Sequence, residues 1–316
     1  MAYACICHFF YVNLHDFEEM LYYRRKILLA LLELFGGKLS AIQIQKYLFL
    51  FTRLQDEKSF YFVPYKYGCF SYQANQDLTT LGTYGYVIAD NKEIILVDKK
   101  HYFSELTLFD QQYLYTIRDQ FGAMSQDELV SYIYTHYPYY AINSTIAKHI
   151  LTTEQLSKVM QQKPHKSAPQ LFTIGYEGVS LEQYVNKLIL EDIHVLCDVR
   201  KNAYSQKYGF SKSQLQKACE GVGIMYIHVP DLGINSDKRQ TLHTQADYDK
   251  LFAEYERTTL ANNQQALSYV IDVLQSNKRI ALTCFEKDPK QCHRTRVANA
   301  IARATDNKYP ITHILF

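Results

Sequence analysis

The stretch LFTIGYEGVSLEQYVNKLILEDIHVLCDVR (Leu171–Arg200) decides the fold class of the chain. LFTIGY reads as a strand. Ser180 followed three residues later by Gln183 is a capping box, so a helix opens there and runs through SLEQYVNKLILED. HVLCDVR then gives the continuous apolar run that a strand buried on both faces requires. The same grammar continues to the C-terminus. Ser211 caps a helix over SKSQLQKACEG, IMYIHVP is a third strand, and Asp247–Gln275 is amphipathic over the length of one or two helices. RIALTCF is a fourth strand, RTRVANAIARA a helix and ITHILF a last strand. Alternation of this kind specifies a parallel sheet with helices on both faces, a three-layer, Rossmann-like α/β domain.

Upstream of it the grammar differs. QQKPHKSAPQ (Gln161–Gln170) is polar, holds two prolines and has no periodicity, so it reads as a linker between residues 1–160 and 171–316. Before it, Met20–Phe35 has apolar residues at helical spacing and Gly36-Gly37 stops it. Ser40 opens a second helix through the capping box SAIQ, FYFVPYKYG reads as one aromatic strand, and Ser71–Leu81 as a polar helix. YVIADNKEIILV alternates about Asp90-Asn91 and reads as a hairpin. Another capping box, TTEQ, starts a helix at Thr152. Helices followed by a hairpin are the order of a winged-helix module, which binds DNA or another protein. Lys38, Lys46, Arg53, Lys58 and Lys66 are scattered along this half rather than striped. The segments IQKYLFLF, FVPYKYG and ELVSYIYTHYP resemble the N-terminal domains of phage-associated antitoxin-like proteins, a likeness from which no functional residue is carried over; from the element order, a nucleic acid or a protein partner is expected for this half.

Composition excludes some classes. Among 316 residues the formal net charge is only +2, so no global polyelectrolyte attraction to nucleic acid operates. ILLALLELF (Ile27–Phe35) is too short to span a bilayer, so no membrane association is expected. MAYACICHFFYV lacks a basic n-region and a cleavage site. With seven cysteines and no secretory signal, the expectation is reduced thiols in a cytoplasm. Cys5, Cys7 and His8 match no zinc spacing.

In open parallel sheets, ligands bind beyond the carboxyl ends of the strands. Polar residues of the C-terminal half fall there repeatedly. Tyr176, Glu177 and Gly178 follow the first strand; Asp198 and Arg200 end the second, with Ser205, Lys207 and Lys212 beyond. His228, Gly233 and Arg239 follow the third, and Cys284, Glu286, Cys292, His293 and Arg294 the fourth. Arg200 suits bidentate recognition of a phosphate or carboxylate, with an ion pair to Asp198 or Glu286 as the structural alternative. Asp198, Glu286, His228 and His293 are candidate acid–base groups, and Cys284 a candidate nucleophile beside a helix start that favours anions. Lys207 and Lys212 form an anion rim. Zinc is not predicted: Cys284, Cys292 and His293 supply three ligands where a structural site wants four.

The blocks TIGYEG, LCDVR, SQKYGFSKSQL, IHVPDLGI and LTCFEKDPKQCHRTRVA, in order over Phe172–Ala302, resemble the domain-of-unknown-function family 488. The resemblance implies a cytoplasmic α/β protein of bacterial type and no assigned reaction. Family-like positions are Gly175, Tyr176, Glu177, Gly178, Asp198, Arg200, Ser205, Phe210, His228, Leu232, Gly233, Cys284, Glu286, Cys292, His293 and Arg294. Where the family pattern leads us to expect proline and arginine, Ala203 and Gln206 stand, leaving Arg200, Lys207 and Arg294 to meet a phosphate.

Three functions compete. One is an enzyme binding a phosphorylated nucleotide or nucleic acid and hydrolysing a phosphoester or N-glycosidic bond. Another is a non-catalytic regulator, of the defence or toxin–antitoxin kind, whose α/β half senses a nucleotide. The third is a metal-dependent Cys/His protein.

Overall fold

A computed structural model of the chain describes residues 21–90, 92–235, 242 and 244–316. In the C-terminal half, five strands form one parallel sheet. They are β6 (Gln170–Gly175), β7 (Val195–Asp198), β8 (Met225–His228), β9 (Arg279–Cys284) and β10 (Ile311–Ile314), in the order β10-β6-β9-β7-β8. Helices α8 (Leu181–Leu190) and α9 (Lys212–Glu220) cover one face. Helices α10 (Gln245–Tyr255), α11 (Gln264–Asn277) and α12 (His293–Ala304) cover the other. Side-chain alternation sorts the layers: Phe172, Ile174 and Leu196 enter the first core, while Leu171, Val195, Cys197 and Leu282 enter the second. The α/β arrangement expected from Leu171–Arg200 is therefore present. A π-helical turn, Glu256–Leu260, separates α10 from α11.

Chain direction creates the crevice. β6 leads into a helix on one face, and its neighbour β9 leads into α12 on the other, so the connections part above this pair of strands. Such a switch point is where open α/β sheets hold ligands. Gly175, the last residue of β6, is required for the close approach there. A Cβ on it would stand 1.9 Å from the Glu286 carbonyl oxygen and 3.2 Å from the Arg294 guanidinium.

The N-terminal half is mainly helical: α1 (Tyr23–Leu34), α2 (Ala41–Leu54), α3 (Tyr72–Thr83), α4 (Leu108–Phe121), α5 (Gln126–His136), α6 (Ala147–Ile150) and α7 (Thr153–Gln161). Ser40 and Thr152 form the expected capping boxes with Gln43 and Gln155. The hairpin is β4 (Val87–Asp90) with β5 (Glu93–Leu96), joined by a strand the sequence reading missed, β1 (Lys38–Ser40). β1 is only three residues long, too short for an alternation to register. The aromatic stretch FYFVPYKYG is not one strand. It folds back as β2 (Val63–Tyr65) and β3 (Gly68–Phe70), with Gly68 at φ 88° taking the backbone through the turn. Segment 162–169, between α7 and β6, has no regular secondary structure.

The two halves share a core, for α8 and α9 residues join the same buried cluster as α1, α2 and α5. Polar contacts tie the same seam. The Asn186 side chain donates to the Phe62 carbonyl (2.7 Å), the Tyr208 hydroxyl to the Tyr72 carbonyl (3.0 Å) and the Tyr72 hydroxyl to the Ala218 carbonyl (3.3 Å). Glu182 in α8 is buried and reaches the first turn of α3, where it accepts from the Gln73 backbone N–H (2.8 Å) and the Ser71 hydroxyl (3.2 Å). A carboxylate there satisfies a free N–H and meets the positive end of the helix dipole.

Burial raises the Glu182 carboxyl pKa despite those hydrogen bonds. A carboxyl raised on folding adds stability at low pH, and that contribution fades as pH climbs from the usual carboxylate value through the raised one. Glu182→Gln should therefore gain stability relative to the wild type across that window. Glu182→Ala, which strands a buried N–H, should cost about 1–3 kcal/mol. Urea titrations at several pH values check both.

Candidate active site

Strand ends β6, β7 and β9 converge on the crevice, and β7 supplies its anchor. Asp198 is fully buried and takes the Arg200 guanidinium in a fork, from Nε at 2.8 Å and from Nη2. Arg200 Nη1 also donates to the Tyr176 hydroxyl (2.7 Å) and the Phe210 carbonyl (2.9 Å), and Tyr226 donates its hydroxyl to Asp198 (2.6 Å). Burial alone would lower the guanidinium pKa; the Asp198 carboxylate overrides it and holds it raised. Of the two roles open to Arg200, the structure shows the ion pair with Asp198. Both residues position the site: Arg200 holds the Tyr176 ring, which stacks on Phe210 with centroids 4.3 Å apart. His228 joins the same scaffold through its Nε2, 2.9 Å from the Arg200 carbonyl.

The crevice floor is the segment after β9. Cys284 is 1% exposed; its Sγ lies 3.2 Å from a Glu286 carboxylate oxygen and 3.6 Å from His293 Nδ1. His293 Nε2 sits 2.8 Å from the Val199 carbonyl and so donates to it, and Nδ1 faces the thiol. Cys292, the N-cap of α12, brings a second buried sulfur, and one ligand atom each from Cys284, Cys292 and His293 lies within 4.8 Å of the others. Burial, with the neighbouring Cys284, pushes the Cys292 thiol well up. Arg294 is 0% exposed, and Nη1 and Nη2 donate to the Glu286 (2.5 Å) and Lys287 (3.2 Å) carbonyls. Its Nε is the one buried side-chain nitrogen or oxygen among the described residues without a partner. Arg294 thus fixes the loop from beneath. Glu177 fixes it from above by accepting from the Lys287 N–H (2.9 Å).

Above this floor opens a cleft of 270 Å³ lined by Tyr176, Arg200, Lys201, Asn202, Tyr204, Ser205, Ile234, Cys284, Phe285 and His293. A cavity of 160 Å³ adjoins it, sharing Lys201 and Ile234 and including Gly233 and the π-helical Thr258 and Thr259. Of the expected rim, Lys207 turns its amine onto the Tyr176 carbonyl (2.9 Å), and burial lowers its pKa. Lys212 is exposed at the start of α9, away from the cleft lining. Ser211, expected as the α9 cap, bonds across the loop to the Ser205 N–H and carbonyl instead, at 3.1 and 2.9 Å. Gly178 sits in the turn before α8 at φ 78°. Arg239, Cys5, Cys7 and His8 lie outside the described residues. Sequence reasoning passed over Asn202, Tyr204, Ile234 and Phe285. Their signal was position beyond strand ends, a rule applied to charged groups but not to apolar and amide ones.

Fold and cleft define the class: an open parallel α/β domain with a Cys/His floor at its switch point. Residues 180–301, in the C-terminal half, match the family model described as Domain of unknown function DUF488. No curated protein and no solved structure matches the chain. Among the described residues, no helix is long and apolar enough to cross a membrane.

Removing one partner of the buried Asp198–Arg200 pair should cost about 3–5 kcal/mol. Arg200→Ala and Asp198→Ala are each expected to lose that much in chemical denaturation. The double variant Asp198→Leu with Arg200→Met should recover part of it, because no unpaired charge is left buried.

Proposed function

We propose that the C-terminal domain is a hydrolase for a small ligand with a planar ring and an anionic group, nucleotide-like in chemistry. The reacting centre is the Cys284–Glu286–His293 cluster. The observation that carries this reading is the orientation of His293: Nε2 is held by a backbone carbonyl, which aims Nδ1 at Cys284, where the cleft floor lies. Groups so aligned are poised for proton transfer or for gripping an electrophile, and Glu286 is placed to shuttle a proton.

The cleft wall supports the ligand class. Tyr204 is 71% exposed and Phe285 43%, and two such rings on one cleft favour a flat ligand. Lys201, Asn202 and Ser205 supply a cation and two neutral polar groups for the anionic end. In this reading the phosphate is not held by Arg200 or Arg294, whose hydrogen bonds go to the protein itself.

A regulator that reads DNA has less support. The arrangement of α1, β1, α2, α3 and the β4–β5 hairpin fits a winged-helix-like module. Yet α3 carries no Lys or Arg, and its first turn is taken by Glu182.

A panel of nucleotides and nucleosides assayed for phosphoester and N-glycosidic cleavage tests the reading. Glu286→Gln should lower turnover about 100-fold or more without shifting the melting temperature. Tyr204→Ala should raise KM about tenfold with little change in kcat. Thermal stabilisation by a nucleotide that is never turned over would overturn the hydrolase and leave a sensor.

A further inference from the structure

We infer that Cys284, Cys292 and His293 form a site for one zinc ion, which makes the hydrolytic centre a metal centre. The inference deepens the hydrolase reading and rests on the same cleft.

Geometry supports it first. Zinc–sulfur bonds of about 2.3 Å and zinc–nitrogen bonds of about 2.0–2.1 Å at a tetrahedral angle put sulfur and nitrogen about 3.6 Å apart. Cys284 Sγ and His293 Nδ1 are 3.6 Å apart, and Cys292 Sγ completes a triangle whose sides all lie within 4.8 Å. The three atoms therefore need only small side-chain rotations to share an ion. All three residues are buried. Two thiolates and an imidazole are a soft set, which selects zinc over magnesium or calcium.

The surroundings are those of a ligand set rather than of packing residues. A metal-bound histidine almost always donates its other ring N–H to a carbonyl or carboxylate. His293 does so to Val199. Loss of two thiol protons leaves a zinc–dithiolate–imidazole unit with no net charge. Glu286, 3.2 Å from Cys284 Sγ, adds one negative charge beside it. The buried Arg294 cation, which donates to the Glu286 and Lys287 backbone carbonyls, brings one positive charge to the same turn.

Three protein ligands leave a fourth position, and an open fourth position distinguishes catalytic zinc from structural zinc. Cys284 and His293 line the cleft, so that position faces the ligand. A water bound there would break one O–H bond and form a bond from its oxygen to the substrate's electrophilic atom. Its proton would pass to Glu286 and on to the leaving group as the scissile bond breaks. Cys284 then serves as a ligand and not as a nucleophile.

The test reads metal and needs no substrate. Full-length protein purified without chelators should hold about one zinc per chain by mass spectrometry. After exchange, its cobalt(II) form should show the sulfur-to-metal charge-transfer band and the d–d bands of a tetrahedral thiolate site. Cys292→Ser and His293→Ala should weaken zinc affinity by more than the roughly 10–100-fold lost with one supporting hydrogen bond, whereas Glu286→Gln should keep the metal. Wild-type protein that neither holds zinc nor develops the cobalt spectrum overturns the site. This outcome does not depend on any variant folding. Stoichiometric metal that survives Cys284→Ser combined with Cys292→Ser overturns it as well. Bound zinc without turnover of any panel member would remove the hydrolase while the site stands. Metal-free turnover lost in Glu286→Gln would do the reverse.

Discussion

The buried pair of Asp198 and Arg200 is the constraint on which the site depends. A carboxylate and a guanidinium withdrawn from water are expensive unless their remaining donors and acceptors are also met. Here the obligation recruits neighbours from several segments: Tyr176 after β6, Tyr226 on β8, and the Phe210 carbonyl from the loop before α9. The Arg200 carbonyl then fixes His228. One ion pair at the end of β7 thereby sets the spacing of adjacent loops, and the Tyr176 ring it holds becomes a cleft wall. The charge is spent on shape.

A second buried cation works on the opposite side. Arg294 has no acidic partner among its hydrogen bonds and holds two carbonyls of the segment after β9. The absence of a side chain on Gly175 lets that segment settle onto the sheet. Glu286 is therefore presented beside Cys284 by a rigid turn rather than by a loose loop. The proposed hydrolysis would depend on such placement, because small displacements from productive geometry are costly.

Much of this could be read from the chain itself. The strands of the sheet and their capped helices followed from apolar runs and from Ser180, because both-face burial and capping leave local signatures. The convergence of Tyr176, Asp198, Arg200 and Cys284 at one edge followed from topology alone. The roles within that edge did not. Whether an arginine grips a ligand or a neighbouring carboxylate is settled by distances across strands that are far apart in sequence. The cysteine pair reads poorly for the same reason: Cys284 and Cys292 are separated by a loop whose path depends on Arg294. β1 and the β2–β3 turn were missed because three-residue strands carry too little alternation to be seen. Glu182 looked like an ordinary residue of a capped helix, since its partner in α3 is more than a hundred positions away.

The strand order has a consequence for where the domain can be cut. The segment that matches the family model, 180–301, begins after β6 and stops before β10, yet β6 lies between β10 and β9 in the sheet. A fragment trimmed to those limits would strip β9 of its neighbour along six paired residues, from Arg279 to Cys284. Its row of unmatched amides and carbonyls would then offer a template to any other chain, including another copy with the same bare edge. The heritable pattern and the folding unit are thus of different sizes.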